Sequence, residues 1–403
     1  MHFAGRALHR CALSRALAGI WLLLVLFLAA PPAALAAPPE NVYFAGVAFS
    51  ANAADVSKEF PHLSKVLDSA TNAQIDAALR QRIRENPGAP KLIFDRLGSI
   101  KDSSRSTALA LALDGESTSV ERIGDVFKSR LEISAQLLFF DFKEKQILGG
   151  FPIIIDYIDT SSQPPDENDI DRQFRAMVLG EDGRHSLLDE FVSALASASV
   201  PTPASRHLRV TSVTLGPKAL SYLHQAMLNA DPEVVRGQIA HEFGKYLSAN
   251  QRLAILPYAS SQALGGSMAA RFIEGDAYQL KIPEADYAIS LKVTGFKKIE
   301  QGRTNTSIGY IYGAFVDLAV TEPMSGTVYF SQSIKQGASQ TVPVTQSAMD
   351  DWANAYDTLR LLFNNFTLAI SNPDSQWVTS SMPRETGVES QLNSLKGLVQ
   401  SCR

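Results

Sequence analysis

Asp286-Tyr287-Ala288-Ile289-Ser290-Leu291-Lys292-Val293-Thr294-Gly295 decides the fold class of this chain. Apolar residues alternate with small or polar ones, the period of a strand with one face on a core. The surrounding block, residues 252–335, opens on the apolar run Leu253-Ala254-Ile255-Leu256, closed by Pro257. It then offers three long strand-like segments, 286–296, 308–320 and 327–334, with Gly and Pro in the gaps.

Outward from this block, residues 208–215 read as a strand and 232–247 as a helix with Val235, Ile239, Phe243 and Leu247 on one face. Residues 352–371 read as a closing helix. The same order occurs once before. A strand at 42–49 precedes a helix carrying Ile75, Ala78, Leu79 and Ile83, then a short strand at 91–94 and a strand at 107–113 that ends on a turn at Asp114-Gly115. Strands at 131–142 and 151–158 flank a hairpin tip, Lys143-Glu144-Lys145-Gln146, and a helical region spans 170–198. The pattern predicts a tandem duplication, 41–198 and 206–371, joined at Pro201-Thr202-Pro203. The expected fold class is α/β (α+β), two similar domains, each a mixed β-sheet packed by helices. Residues 372–403, with Pro373, Pro383 and much Ser, read as a flexible C-terminal tail, whose one weakly amphipathic run at 388–399 is a candidate docking helix.

The first 36 residues carry a different signal. Arg6, Arg10 and Arg15 precede an apolar run from Leu17 to Ala30, and Ala34-Leu35-Ala36 supplies a cleavage pattern. Basic, apolar and small residues in that order make a secretory signal peptide, and Pro31-Pro32 ends the run short of a membrane span. The expected location is periplasmic, with outer-membrane association or secretion as variants. Cleavage leaves Cys402 as the one thiol and no internal disulfide, so folding must rest on apolar burial. A net charge of −4 lacks the basic field that nucleic acid requires.

The second copy resembles a group of bacterial envelope domains: those of the curli-secretion lipoprotein, the penicillin-binding-protein activator lipoproteins, the amino-terminal domain of TolB and the middle domain of a flagellar-ring protein. The resemblance lies in Leu253-Ala254-Ile255-Leu256-Pro257, in the 285–295 phrase, and in Val316-Asp317-Leu318 running on to Ser325-Gly326-Thr327. It covers 206–371 well and the first copy more loosely. Lipid-anchored members carry an acceptor Cys that is missing here. The resemblance implies a non-catalytic scaffold or assembly factor that binds envelope proteins or a further copy of itself.

Candidate chemistry is sparse. His241-Glu242 has Lys245 where a zinc-protease helix needs its second His, and the pair reads as an exposed helix face. Ser267 has Ala269 where a nucleophile elbow needs Gly. No catalytic, metal or cofactor residues are assigned. Asp141 and Asp317, each within an apolar strand, are expected to cap turns. Arg271, Phe272 and Tyr278 in the insertion 262–283, with Tyr310 and Tyr312, are the candidate partner contacts, because Tyr and loop residues are common at such surfaces. The alternative is an enzyme, or a small-ligand or glycan binder, with its site in the cleft between the copies.

Overall fold

The computed structural model describes residues 42–403 except 51–55, 87, 89, 91, 95–106, 124, 228–230, 259–266, 273–276, 347–348 and 384–386. The expected signal peptide lies outside the described residues. The first half contains β1 (Val42–Phe49), α1 (Val56–Glu59), α2 (Leu63–Val66), α3 (Ser69–Glu85), β2 (Leu92–Ile93), β3 (Thr107–Ile123), β4 (Val126–Asp141), β5 (Gln146–Ser161), α4 (Glu167–Leu179) and α5 (Leu187–Ser197). The second contains β6 (Leu208–Leu215), α6 (Pro217–Ala226), α7 (Pro232–Gln251), β7 (Ile255–Leu256), β8 (Ser267–Phe272), β9 (Ala277–Lys281), β10 (Tyr287–Arg303), β11 (Ser307–Glu322), β12 (Thr327–Pro343) and α8 (Asp351–Ser371). Two helices follow, α9 (Gln376–Ser381) and α10 (Val388–Ser401).

The halves do not own separate sheets. All the described strands belong to one mixed 12-stranded sheet in the order β12-β11-β10-β6-β7-β5-β4-β3-β1-β8-β9, with β2 beside β1. Short β7 joins the halves, pairing in parallel with β6 and antiparallel with β5 at Gly150–Ile255. Gly at 150 leaves room for the Gln136 side chain of β4, because a Cβ there would lie 2.3 Å from Gln136 Oε1.

Within each half the architecture repeats to the level of its irregularities. β3 and β4 shift register between Leu113 and Gly115, and β10 and β11 shift between Val293 and Gly295. The next pairs shift at Phe139/Phe140 and Val320/Thr321. A bulge leaves one residue unpaired and bends the strand without ending it. The expected turn at Asp114-Gly115 is therefore a bulge, and β3 runs on to Ile123.

Apolar alternation gives each half its own core. Leu109, Leu111, Leu131, Ile133 and Phe139 of the first sheet pack on Phe174, Leu188 and Phe191 of α4 and α5. Ile289, Leu291, Val316 and Phe330 of the second pack on Phe243, Leu359, Phe363 and Phe366 of α7 and α8. The segment expected as a tail joins this second core. Leu392 and Val399 are fully buried and Cys402 nearly so, which pushes its thiol up to about 11. Its 388–399 periodicity has a partner surface, so this run is a docked helix, as its amphipathic pattern offered, and not part of a mobile tail.

Candidate functional site

The cleft between the halves is built from the strand face that α4 and α5 leave uncovered. On β4, Leu131, Ile133 and Ala135 point to the first core, so strand alternation aims Arg130, Glu132 and Gln136 the other way. α7 and α8 of the second half lie against them and bring Glu242, Asp357 and Arg360. Arg360, 7% exposed, is the centre of the resulting seam. Its Nε donates to Glu242 Oε1 at 2.6 Å, one terminal nitrogen donates to Glu132 Oε2 at 2.6 Å, and the other reaches Asp156 Oδ2 at 3.3 Å. Arg130 donates to Asp357 Oδ1 at 3.1 Å and to Asp156 Oδ1 at 3.4 Å.

The seam continues inward. The Asp114 bulge carboxylate accepts from Gln136 Nε2 at 2.8 Å and lies 3.3 Å from His241 Nε2. His241-Glu242 is thus not an exposed helix face: Glu242 is 1% exposed and pairs with Arg360 of its own half, while His241 reaches the Asp114 carboxylate across the seam.

Two cations facing four carboxylates set the electrostatics. Burial pushes Glu132 up to about 7, with Asp156 and Glu242 adding to the rise and Arg360 opposing it. Burial acts on Asp156 in the same sense, but Arg360 and Arg130 outweigh it and hold the group below the usual carboxylate range. Asp114 is raised, chiefly by burial, against the attraction of His241. The groups resemble an acid and base pair in their opposite shifts. In geometry they are a clasp, since their charges are directed at one another.

At its outer end the seam opens into a cleft of about 490 Å³. Its walls are Ser117 to Val120 of β3, Arg130 and Glu132 of β4, Met227 after α6, and Met349, Trp352 and Tyr356 around the start of α8. Ser119 Oγ donates to Asp350 Oδ2 at 3.2 Å, and Asp350 caps α8 by accepting from Ala353 N at 2.7 Å. The Tyr356 hydroxyl is buried and finds no hydrogen-bond partner among the described residues.

The residues singled out from the sequence fall elsewhere. Asp141 caps its turn, its Oδ1 accepting from Lys143 N at 2.8 Å and Glu144 N at 2.9 Å. Asp317 does not; it lies mid-strand, accepts from Ser333 Oγ at 2.6 Å and sits 3.7 Å from Lys292 Nζ. The turn after β11 is made by Glu322, Ser325 and Gly326. Asp141 therefore corresponds to Glu322, and Asp317 to Gln136.

Phe272 is 3% and Tyr312 1% exposed, so neither presents a contact surface. Phe272 and Tyr278 belong to the β8–β9 hairpin, their rings 5.6 Å apart, and Tyr278 also meets Phe142. The side chain of Arg271 lies outside the described residues. Tyr312 donates to Asp351 Oδ1 at 2.7 Å, and Lys298 sits 4.4 Å above the half-buried Tyr310 ring. Among the described residues no group of three or more His, Cys, Asp or Glu could hold a metal ion, and no helix is long and apolar enough to cross a membrane.

Sequence reasoning missed the seam because its members lie far apart in the chain. One local signal existed: Glu132, Asp156 and Arg360 are charges inside otherwise apolar runs.

No known family profile matches the chain, and a search of curated proteins returns no match. Among solved structures, a minor lipoprotein from Acinetobacter baumannii aligns over 45% of this chain and 98% of its own, at 10% identity and a TM-score of 0.21. A neuraminyllactose-binding hemagglutinin homolog from Helicobacter pylori aligns over 47% and 90%, at 12% identity and a TM-score of 0.25.

Proposed function

We propose that this chain is an exported envelope protein that works by binding: a non-enzymatic scaffold or assembly factor docking onto another envelope component. The signal-peptide pattern of residues 1–36 supports export. The observation that carries docking is the outer margin of β12 from Ser333 to Thr341. This strand is 17 residues long and, among the described residues, pairs as a strand only with β11; Gln391 of α10 accepts from Ser331 N near its start, and beyond that point exposed residues such as Ser333, Lys335, Ser339 and Thr341 alternate along a polar surface. An open edge of this length offers backbone donors and acceptors to an added strand.

The test places a photo-reactive residue at Ser339 or Thr341 of the full chain in intact bacterial cells. Recovery of one defined envelope protein, lost when Lys335 is replaced by Pro, supports docking. Fractionation with the cytoplasm, or no defined product from either position, overturns it. A second reading, an enzyme or a small-ligand or glycan binder, is favoured by one observation: the oppositely shifted Glu132 and Asp156 beside the cleft.

A further inference from the structure

The Arg360 seam holds more buried negative charge than its cations answer. Glu132 and Asp156 stand directly opposite each other on β4 and β5, an arrangement in which like charges repel. Glu242 approaches the same guanidinium from α7, and its Oε2 finds no donor among the described residues. Asp357, the fourth acid, is largely exposed and pairs with Arg130 on the solvent side. The buried charge is therefore three carboxylates facing Arg360 and Arg130, and a single proton neutralises the surplus. Two carboxyl groups forced into one site take up such a proton between them. Glu132 also lines the cleft, so that proton exchanges with solvent directly.

The joint beneath the seam is narrow. Among the described residues β5 and β7 meet at one residue pair, Gly150–Ile255, and β7 otherwise pairs with β6 of its own half. The β8–β9 hairpin pairs outward only with β1 and β5, so it belongs to the first half. A single ladder pair fixes a point, and rotation about it is resisted by side chains. Those side chains include the seam.

We infer that the seam is a proton-operated latch on the cleft. With one proton shared by Glu132 and Asp156 the halves are closed on each other. Its loss as pH rises lets α7 and α8 swing away from β4 and β5 about β7, which widens the cleft. The direction follows from burial. Burial pushes Glu132 up to about 7 in the closed form, with Asp156 and Glu242 adding to the rise, and exposure on opening returns it to the ordinary carboxylate range. Closure is thus fully supported below that range and loses support as pH rises through about 7. The groups facing Glu132 are Asp156 from β5, Glu242 from α7, and Arg360 and Tyr356 from α8, with Arg130 on its own strand. Lys245, Tyr246 and Asp357 border the same seam. His241, paired with Asp114, is of the type that titrates near neutral pH and needs its own control.

This latch goes beyond the docking reading and stands independently of β12. The test measures the distance between spin labels at Thr118→Cys and Met227→Cys, exposed positions on opposite walls of the cleft, in the full chain carrying Cys402→Ser. Between about pH 5.5 and about pH 8.5 the ratio of closed to open molecules should fall about thirtyfold, seen as a longer distance that grows in with a midpoint near 7. Glu132→Gln, neutral at every pH, should keep the short distance throughout, and His241→Gln should keep the transition. A distance in the parent that ignores pH, even where stability falls, overturns the latch. So does a transition that survives Glu132→Gln or disappears in His241→Gln.

Discussion

The two halves differ most on the sheet face turned away from each half's own helices. In the first half that face carries Ala108, Ala110, Ala112, Leu138, Phe140 and Ile147, all buried. At the equivalent positions of the second half stand Ala288, Ser290, Lys292, Ala319, Thr321 and Val328, and Lys292 and Val328 are exposed. The first face is closed by the β8–β9 hairpin, which pairs with β1 at Ala48–Phe272 and returns to β5 at Gln146–Lys281. Six strands, β5, β4, β3, β1, β8 and β9, thereby close a ring around Ala-rich packing.

Further out the contrast repeats in charge. Glu132 and Asp156 face each other across β4 and β5, and the matching pair across β11 and β12 is Gly313 and Gly337. One half spends this face on contact with the other half, and the second leaves it to solvent. A shared backbone thus fixes where side chains point, and the side chains fix which surfaces must be covered.

The sharpest way to break this contrast is at Arg360. Arg360→Ala leaves Glu132, Asp156 and Glu242 facing one another without their shared cation. It should cost about 3–5 kcal/mol, read by urea unfolding, because removing one partner strands buried charge. A loss below about 1 kcal/mol would mean that the seam does not hold the halves.

The hairpin comes next. Phe272→Ala removes a ring packed on Phe140 at 6.4 Å and should cost about 3 kcal/mol. Lys292→Ala on the uncovered second face should change stability by less than about 0.5 kcal/mol. Equal costs at the two positions would erase the distinction between covered and open faces.

Glu132 adds a pH dependence to the seam. Its folded pKa of about 7 lies above the ordinary carboxylate value, so its favourable contribution is full below that ordinary value and is lost as pH rises through about 7. Asp156 is shifted down, so its contribution is lost only under strong acid, outside this window. The protein should therefore lose stability between about pH 5 and pH 8, and Glu132→Gln should lose less. A variant with the same slope as the parent would place the titration elsewhere.

The smallest expected effect separates the two aspartates. Asp141→Ala removes two backbone caps and should cost about 1 kcal/mol; Asp317→Ala, an exposed cross-strand contact, should cost about 0.5 kcal/mol or less. Equal losses would mean that Asp317 contributes as much as a turn cap does.

Periodicity made the strands at 107–113 and 286–296 legible, together with the repeated order of elements, because alternation is a local consequence of one buried face. It set their ends too early: past the bulges at Asp114 and Thr294 the strands run on with polar residues, whose cover or exposure is not a local property. The insertion 262–283 read as a contact loop because it is a polar interruption of the strand pattern and binding residues are common on such loops. The apolar face it packs on is formed by residues more than a hundred positions earlier.

By itself, the sequence determined the α/β class and the apolar faces of α3, with Ile75 and Leu79, and of α7, with Val235, Ile239, Phe243 and Leu247. These depend on neighbours a few residues apart, where backbone geometry sets the spacing. Tertiary structure alone decided that the halves share one sheet, that a hairpin of the second closes the first, that the 388–401 helix joins the second core, and that Arg360 gathers Glu132, Asp156, Glu242 and Asp357. Each of these brings together groups remote in the chain, and such contacts depend on shape and charge that exist only once the backbone has folded.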